Sequence, residues 1–546
     1  MRNKFIRSFV LVFAISVFSI NHPASESTSE NPKNVIQITP PSPVFTTEER
    51  QTELAKRRKQ VSDLMADNSM LILFSSEQRI YSNDVNYPYR QENNLYYLTA
   101  LKQYGASLVI QKENGTVSEF VFIPKRNPQF EIWNGKMYSN EEATLLSGVK
   151  TIVDSADFPV FLNSVKTRSA FRSTDGSFKN GYSPEKLYLI KGNASEYRTE
   201  TEFAAGLDGH TVIDASPIFT KLRSVKSPYE IKLMQHAVDI TTEAFGRSMG
   251  MVGRADWEYE VQAEVEYTFR RRNADFWGYP SIVGCGANAT TLHYTESQSK
   301  IKPGALLLMD VGAEYDHYTA DVTRTFPVNG KFTKEQAEIY QIIYDAQENA
   351  AAQLKPGATI SDASRAAAST IQKGLLKLGL ITALDATYEA EFQGRIIKRP
   401  QYTLWYMHGW GHWIGMSVHD VGDYSAKLEE GMMMSNEPGI YIREDALDYM
   451  PDTPANKEFL AKVKPVFDRY KSIGVRIEDD MLITSGGVEW MSKALPRSIK
   501  DIEEFMKRAS AEMKGNAVLG RIDVSRTALS SYVNTVNTTT DPKHTH

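Results

Sequence analysis

The sequence predicts two domains of mixed helix and strand, the second a duplicated helix–helix–sheet unit. Three observations carry this. The chain has 546 residues, too many for one average domain. The grammar changes at Ser227-Pro228-Tyr229-Glu230, where Ser at the cap, Pro at the first helical position and Glu three residues after the cap form a capping box. A second box, Thr333-Lys334-Glu335-Gln336, follows 106 residues later, and Gly253 and Gly357, each opening a further helix, are 104 residues apart. In each half, two helices precede a strand-rich stretch carrying His and carboxylates.

In chain order, Arg2, Lys4 and Arg7 precede an apolar run over residues 9–20, broken only by Ser16 and Ser19. The run is 12 residues long, against the roughly 20 needed to span a bilayer. Residues 1–24 therefore read as a secretory signal peptide. The expected protein is exported, periplasmic or secreted, with no stable membrane insertion once the signal is removed. Residues 25–45 are rich in Ser, Pro, Asn and Glu and read as a disordered linker.

The first domain is placed at residues 46–215. A helical pattern from Thr46 puts Leu54, Val61, Leu64 and Met65 on one side, and a short strand follows at residues 70–74. The stretch YPYRQENNLYYLTALKQYGASLVI, residues 87–110, ends as a strand. Asn114-Gly115 then turns the chain into another strand at residues 119–123. No ligand-type cluster occurs here, so alone this is a generic α/β domain. The second domain is placed at 216–510 and closes with the helix DIEEFMKRASAEM. Residues 511–546, Ser- and Thr-rich from Asn516, read as a loosely ordered tail.

Hydrophobic residues at 41% and aromatics at 11% suffice for sizeable cores. A net charge of −5, with no strongly basic block, argues against nucleic acid as a partner. Cys285 is the only cysteine, so no intrachain disulfide can form even after export; it reads as a small packed side chain. The sequon Asn193-Ala194-Ser195 matters only in a eukaryotic secretory pathway.

The chemistry starts at residues 305–327, ALLLMDVGAEYDHYTADVTRTFP, which read as a hairpin. Closure between Tyr315 and Asp316 would set Asp310 and Asp321 directly opposite, with Cβ atoms about 4.5–5.5 Å apart. Two such carboxylates repel unless a cation or proton intervenes, and a metal pair about 3.5–4 Å apart would fill the gap. A solvated hairpin with two exposed acids is the alternative, and the rest of the chain decides between them.

Downstream, MHGWGHWIGMSVHD places His408, His412 and His419 within 12 residues. Gly409 and Gly411 argue for an extended segment over a helix. Glu437, in MMMSNEPGIYI, ends an apolar strand before a Pro438-Gly439 turn, and a buried carboxylate there needs a partner. In GVRIEDDMLIT, Arg476 and Glu478 share one strand face; standing alone they would be a surface ion pair. Together Asp310, Asp321, His412, Glu437 and Glu478 carry four carboxylates, whose charge two divalent metals would balance. Oxygen-rich ligation with one imidazole suits Mn²⁺, with Zn²⁺, Co²⁺ or Fe²⁺ as alternatives. Such a pair activates water and polarises a carbonyl, which is hydrolytic chemistry.

The ordered set of Asp, Asp, His, Glu and Glu, in HYTE, TADVTRTFPVNGKFT, MHGWGHWIGMSVHD, NEPGIY and GVRIEDD, resembles the pita-bread metallopeptidases: aminopeptidase P, prolidase and methionine aminopeptidase. YPYRQENNLYYLTAL resembles the N-terminal domain of aminopeptidase P, which methionine aminopeptidases lack. The resemblance implies an α/β N-terminal domain followed by an α+β pita-bread domain with a curved, mainly antiparallel sheet and a pseudo-repeat. It implies two metals, with His412 and Glu437 on one, Asp310 on the other, and Asp321 and Glu478 bridging. Glu437 would also be general base and acid, His419 would bond the scissile carbonyl or its oxyanion, and His293 would help shape a proline pocket. His408 and Arg476 match substrate-side residues, and Asp84 matches a carboxylate near the substrate site in the assembly, a homo-oligomer of two or four copies. The expected substrates are peptides with proline at the second position. A prolidase, cutting only Xaa-Pro dipeptides, is the runner-up. A non-catalytic binding protein on this fold is disfavoured, because all five ligands are present. Segments 385–401 and 445–471 are long for compact relatives, and the second is expected to cover the cleft.

Overall fold

The computed structural model describes residues 35–192 and 197–515. The signal peptide, the linker as far as Asn34, the sequon and the tail beyond Gly515 lie outside the described residues. None of the described helices is long and apolar enough to cross a membrane.

The N-terminal half opens with the helix Thr47–Leu64, started by a Thr46–Glu49 capping box. A six-stranded sheet follows, in the order Thr211–Asp214, Lys186–Leu189, Ser69–Leu73, Ser107–Glu113, Thr116–Ile123, Ile152–Asp154. Its centre is antiparallel and both flanks are parallel. The Asn114-Gly115 turn forms as the sequence predicts, with positive φ at both residues, as a primed two-residue turn requires.

Residues 35–45 correct the reading of a linker disordered throughout. They cross the second half as a strap: the Val35 amide donates to Glu512 at 2.6 Å, the Thr39 amide donates to Glu243 at 2.8 Å, and Phe45 stacks on Tyr229 at 3.9 Å. Polar composition suggested disorder, but Ile36 is buried and the strap's amides find fixed acceptors.

The second half contains two helix pairs, Pro228–Met251 with Glu258–Arg271 and Lys334–Ala351 with Ile360–Leu378, each followed by antiparallel strands. Both capping boxes are present. The helix Ile360–Leu378 buries Ile360, Ala363, Ala367, Ile371 and Leu375, the three- and four-residue spacing of one helical face. Gly374 lets it approach its partner closely, since a Cβ there would lie 2.6 Å from Ile342.

The hairpin closes one residue later than the sequence suggested, which moves each pairing partner by two. Asp316 and His317 both adopt positive φ, 50° and 69°, a region in which Asp and His are enriched. They set the pairs Tyr315↔Tyr318 and, further along, Asp310↔Thr323. Asp310 and Asp321 are therefore diagonal instead of opposite. A shift of one full pleat leaves both on the same face. The strands from the two halves meet at a bridge between Thr323 and Glu478.

The expected cover over the cleft is corrected as well. Segment 385–401 forms a hairpin, Thr387–Phe392 with Arg395–Pro400, and segment 445–471 supplies the helix Pro454–Tyr470. Asn456 on that helix bonds the backbone of Glu389 in both directions, at 2.9 and 2.8 Å, while Arg469 and Tyr470 bond Glu338. These contacts make the helix a buttress behind the second helix pair.

Candidate metal centre

Four strand ends and one loop converge at the joint between the half-sheets. Asp310 is the last residue but one of the fully buried strand Leu306–Val311, and Asp321 directly precedes Val322–Pro327. Glu437 follows Met433–Asn436, and Glu478 lies between Ile473–Arg476 and Asp479–Thr484. His412 lies in an irregular segment, as its flanking glycines led one to expect. Gly411 is needed there, since a Cβ would sit 2.3 Å from the Ser435 carbonyl oxygen.

Asp321, His412 and Glu478 offer ligand atoms all within 4.8 Å of one another. His412 Nε2 lies 3.2 Å from Asp321 and 3.5 Å from Glu437. Asp310 joins the group through Tyr279, whose hydroxyl is 2.5 Å from Asp310 and 2.6 Å from Asp321. Arg476 pairs with Asp310 and donates to the Tyr441 hydroxyl at 2.8 Å. Thr323 donates to Glu478 at 2.6 Å.

The electrostatics are those of a site short of positive charge. Burial raises the carboxyls of Asp310 and Glu478 and lifts Glu437 to about 7, each further penalised by its carboxylate neighbours. His412 and His408, four residues apart, go opposite ways. Burial pulls both down, but the hydrogen bond and charge of Asp321 override it at His412 and push it up to about 9. At His408, burial and the Arg476 charge act together and lower it to about 3. A neutral His408 fits its contacts: Nδ1–H donates to the Gly409 carbonyl at 2.7 Å, and Nε2 accepts from Tyr441 at 2.8 Å.

The residues present fit a divalent metal pair. Besides the donor set, His412 Nδ1–H donates to the Trp413 carbonyl at 3.0 Å, which fixes the tautomer and frees Nε2 for a metal. Asp480 accepts from the Asp321 amide at 3.0 Å, and its other oxygen is buried with no hydrogen-bond partner.

Of the substrate-side candidates, His419 is exposed with its ring 4.2 Å from that of His412. His293 is exposed too, close enough for its charge to act on both His408 and His419. Arg476 is turned into the carboxylate cluster. Asp84 stands apart, on an exposed turn between Ile80–Ser82 and Val85–Asn86. Sequence reasoning missed Tyr279, Tyr441 and Asp480. One of them carried a signal: Asp480 shares the alternate-residue face of Glu478. Tyr441 lies past the Pro438-Gly439 turn and Tyr279 in a loop, so neither carried one.

The sequence profile of metallopeptidase family M24 matches residues 232–485, and that of the aminopeptidase P N-terminal domain matches residues 54–171. Fold and site define a metallopeptidase, and the chain belongs to the M24 family in its aminopeptidase P branch. It is 35% identical to a Xaa-Pro aminopeptidase of Haemophilus influenzae, covering 83% of this chain and 97% of the relative. It is 31% identical to that of Escherichia coli, covering 84% and 98%. The solved structure of E. coli aminopeptidase P with the inhibitor Pro-Leu superposes with a TM-score of 0.71 at 29% identity, covering 86% of this chain and all of that one.

Proposed function

We propose that this chain is an exported Xaa-Pro aminopeptidase that releases the N-terminal residue from peptides with proline second. The observation that carries it is the convergence of Asp310, Asp321, His412, Glu437 and Glu478 from both halves of the second domain, in a chain so similar to Xaa-Pro aminopeptidases. His412 and Glu437 would hold one divalent ion, Asp310 a second, and Asp321 and Glu478 both, with Mn²⁺ the best match to the donors. Bound there, the ions would polarise the scissile carbonyl and acidify the attacking water.

This chain's own residues do the rest. Glu437 takes a proton from water as its oxygen bonds the carbonyl carbon. It returns that proton to the proline nitrogen as the C–N bond breaks, leaving a free amino acid and a peptide beginning with proline. His419 donates to the oxyanion. His408, oriented by Tyr441, lines the substrate side, Arg476 backs the site by holding Asp310 and Tyr441, and His293 helps shape the proline pocket. An Xaa-Pro bond has no N–H, so this site grips the free amine and the ring in its place. Two helix pairs, each leading into antiparallel strands, support the pita-bread reading with its curved sheet and pseudo-repeat. Asp84, on its exposed turn, would reach substrate only within a homo-oligomer of two or four copies, which light scattering would measure.

Chelated protein assayed with Xaa-Pro, Xaa-Pro-Yaa and longer peptides, with and without Mn²⁺, tests the reading. The expected result is Mn²⁺-dependent release of the first residue from Xaa-Pro-Yaa. Cleavage of Xaa-Pro alone would move the protein to the prolidases. Export is checked by the N-terminus of the mature chain, expected at about residue 25.

A further inference from the structure

The motif at residues 90–96 of the N-terminal domain contributes no ligand to the metal centre, yet four of its polar side chains reach out of their own domain. Arg90 Nε donates to both oxygens of Glu314, at 3.1 and 2.8 Å, and its Nη2 donates to the Met416 carbonyl at 2.6 Å. Asn93 donates to the Ser417 hydroxyl at 2.9 Å and accepts from Arg90 at 2.7 Å. Asn94 accepts from Arg223 at 2.8 Å, and the same guanidinium pairs with Asp420. Tyr96 donates to Asp316 at 2.5 Å and stacks on His317 with centroids 3.7 Å apart.

These contacts fall in two places. Glu314, Asp316 and His317 are the tip of the hairpin whose strands carry Asp310 and flank Asp321. Met416, Ser417 and Asp420 belong to the loop joining His412 to His419, which has no regular secondary structure. The loop's backbone ties are scattered: one bridge pairs Trp413 with Met434, the Ile414 amide donates to the Met433 carbonyl at 3.4 Å, the Thr319 amide donates to the Gly415 carbonyl at 2.9 Å, and within the loop the Gly415 amide donates to the Ser417 carbonyl at 3.2 Å and the Asp420 amide to the Trp413 carbonyl at 2.9 Å. Asp420 is buried and directly follows His419, so Arg223 fixes the chain beside that imidazole.

We infer that residues 90–94 and Arg223 form an interdomain clamp that sets the histidine loop against the aspartate hairpin, with Arg90 and Arg223 as positioning residues for His419. The clamp thereby serves the reaction without itself touching substrate. A single bridge at Trp413 anchors one end of the loop, and no ladder runs on from it to His419, so side chains from outside fix the part that carries the second histidine. A displacement of about 1 Å at a reacting group can cost about 100-fold in rate. The inference rests on the proposed role of His419 as the oxyanion donor.

The test uses the full chain. In the metal-loaded enzyme acting on Xaa-Pro-Yaa, Arg90→Ala is expected to lower kcat about 10-fold with KM changed less than about twofold. In a His419→Ala background the same substitution should cost nothing further, because its effect passes through that imidazole. The milder pair Asn93→Ala and Ser417→Ala should each cost a fewfold, and the double variant no more than either. A second readout needs neither metal nor activity. In chelated Arg90→Ala, amide exchange across residues 413–420 should speed up about 10-fold while the central strand Ser69–Leu73 stays protected. Additive losses in the His419→Ala background, or exchange that is unchanged or rises throughout the protein, would overturn the clamp. Should wild type fail to cleave Xaa-Pro-Yaa, the functional reading falls and the exchange result still decides the clamp.

Discussion

The two jaws of the metal centre are held by different physics. Asp310 and Asp321 belong to the strands of a hairpin whose register is set by a two-residue turn, and the helix Pro228–Met251 packs along it. Thr241 on that helix accepts from the Ala313 amide at 3.0 Å, and Glu230 accepts from Tyr318 at 3.0 Å. His412 and His419 bracket a loop tied by Arg90 and Asn93 of the N-terminal domain and, just past His419, by Arg223, which Asn94 of that domain holds in turn. A ladder repeats its hydrogen bonds along its length, so loss of one leaves its neighbours in place. The loop has one bridge, at Trp413, and beyond it relies on scattered backbone bonds and a few specific side-chain contacts. The difference teaches that the N-terminal domain, which holds no ligand, is still part of the site.

The comparison can be broken most severely at the carboxylate between the jaws, Glu437. Glu437→Gln keeps the shape but removes the proposed proton carrier, and should lower kcat about 1,000-fold with the melting temperature little changed. Steady-state kinetics beside a thermal melt would check this, and activity within tenfold of wild type would remove Glu437 from the mechanism. Next comes the strand jaw itself. A Cβ at Gly312 would lie 1.8 Å from the Ala320 carbonyl oxygen, so Gly312→Ala must displace backbone and should cost about 3 kcal/mol in denaturant unfolding. Tyr279→Phe deletes the hydroxyl shared by Asp310 and Asp321. It should weaken metal affinity or activity about 10- to 100-fold, read as a shift in the Mn²⁺ concentration giving half-maximal turnover.

The smallest effect concerns the packing behind the hairpin. His236 is buried on the helix Pro228–Met251 with its ring 4.5 Å from that of Tyr315, and burial lowers it to about 4. An unfolded histidine titrates near 6.5, so the unfolded chain binds the proton first. The stability contributed by neutral His236 is thus present above about pH 6.5 and lost as pH falls through about 4. In His236→Phe, the part of the pH dependence of unfolding lying in that window should shrink. An unchanged profile would show that other groups govern it.

How legible all this was depended on range. Capping boxes, the Asn114-Gly115 turn and the face shared by Ile360, Ala363 and Ala367 are local, and the sequence states them residue by residue. The five proposed ligands could be singled out because a buried acid or histidine in an apolar strand or among glycines is costly without a partner. The hairpin register was misplaced by two residues, since positive φ at Asp316 and His317 is a choice the surrounding packing makes. The strap at 35–45 was misread because polar composition says nothing about acceptors over 200 residues away, such as Glu243 and Glu512.

The sequence by itself determined the inventory: two domains, a repeated helix pair, and a donor set suited to divalent metals. Tertiary structure alone decided that Tyr279 joins the two aspartates, that Arg476 turns inward to Asp310, and that Arg90 and Arg223 bind the histidine loop from outside. The reason is physical. Residue chemistry and short-period patterns are properties of neighbours along the chain. A hydrogen bond between residue 90 and residue 416 exists only once both domains have packed into one core.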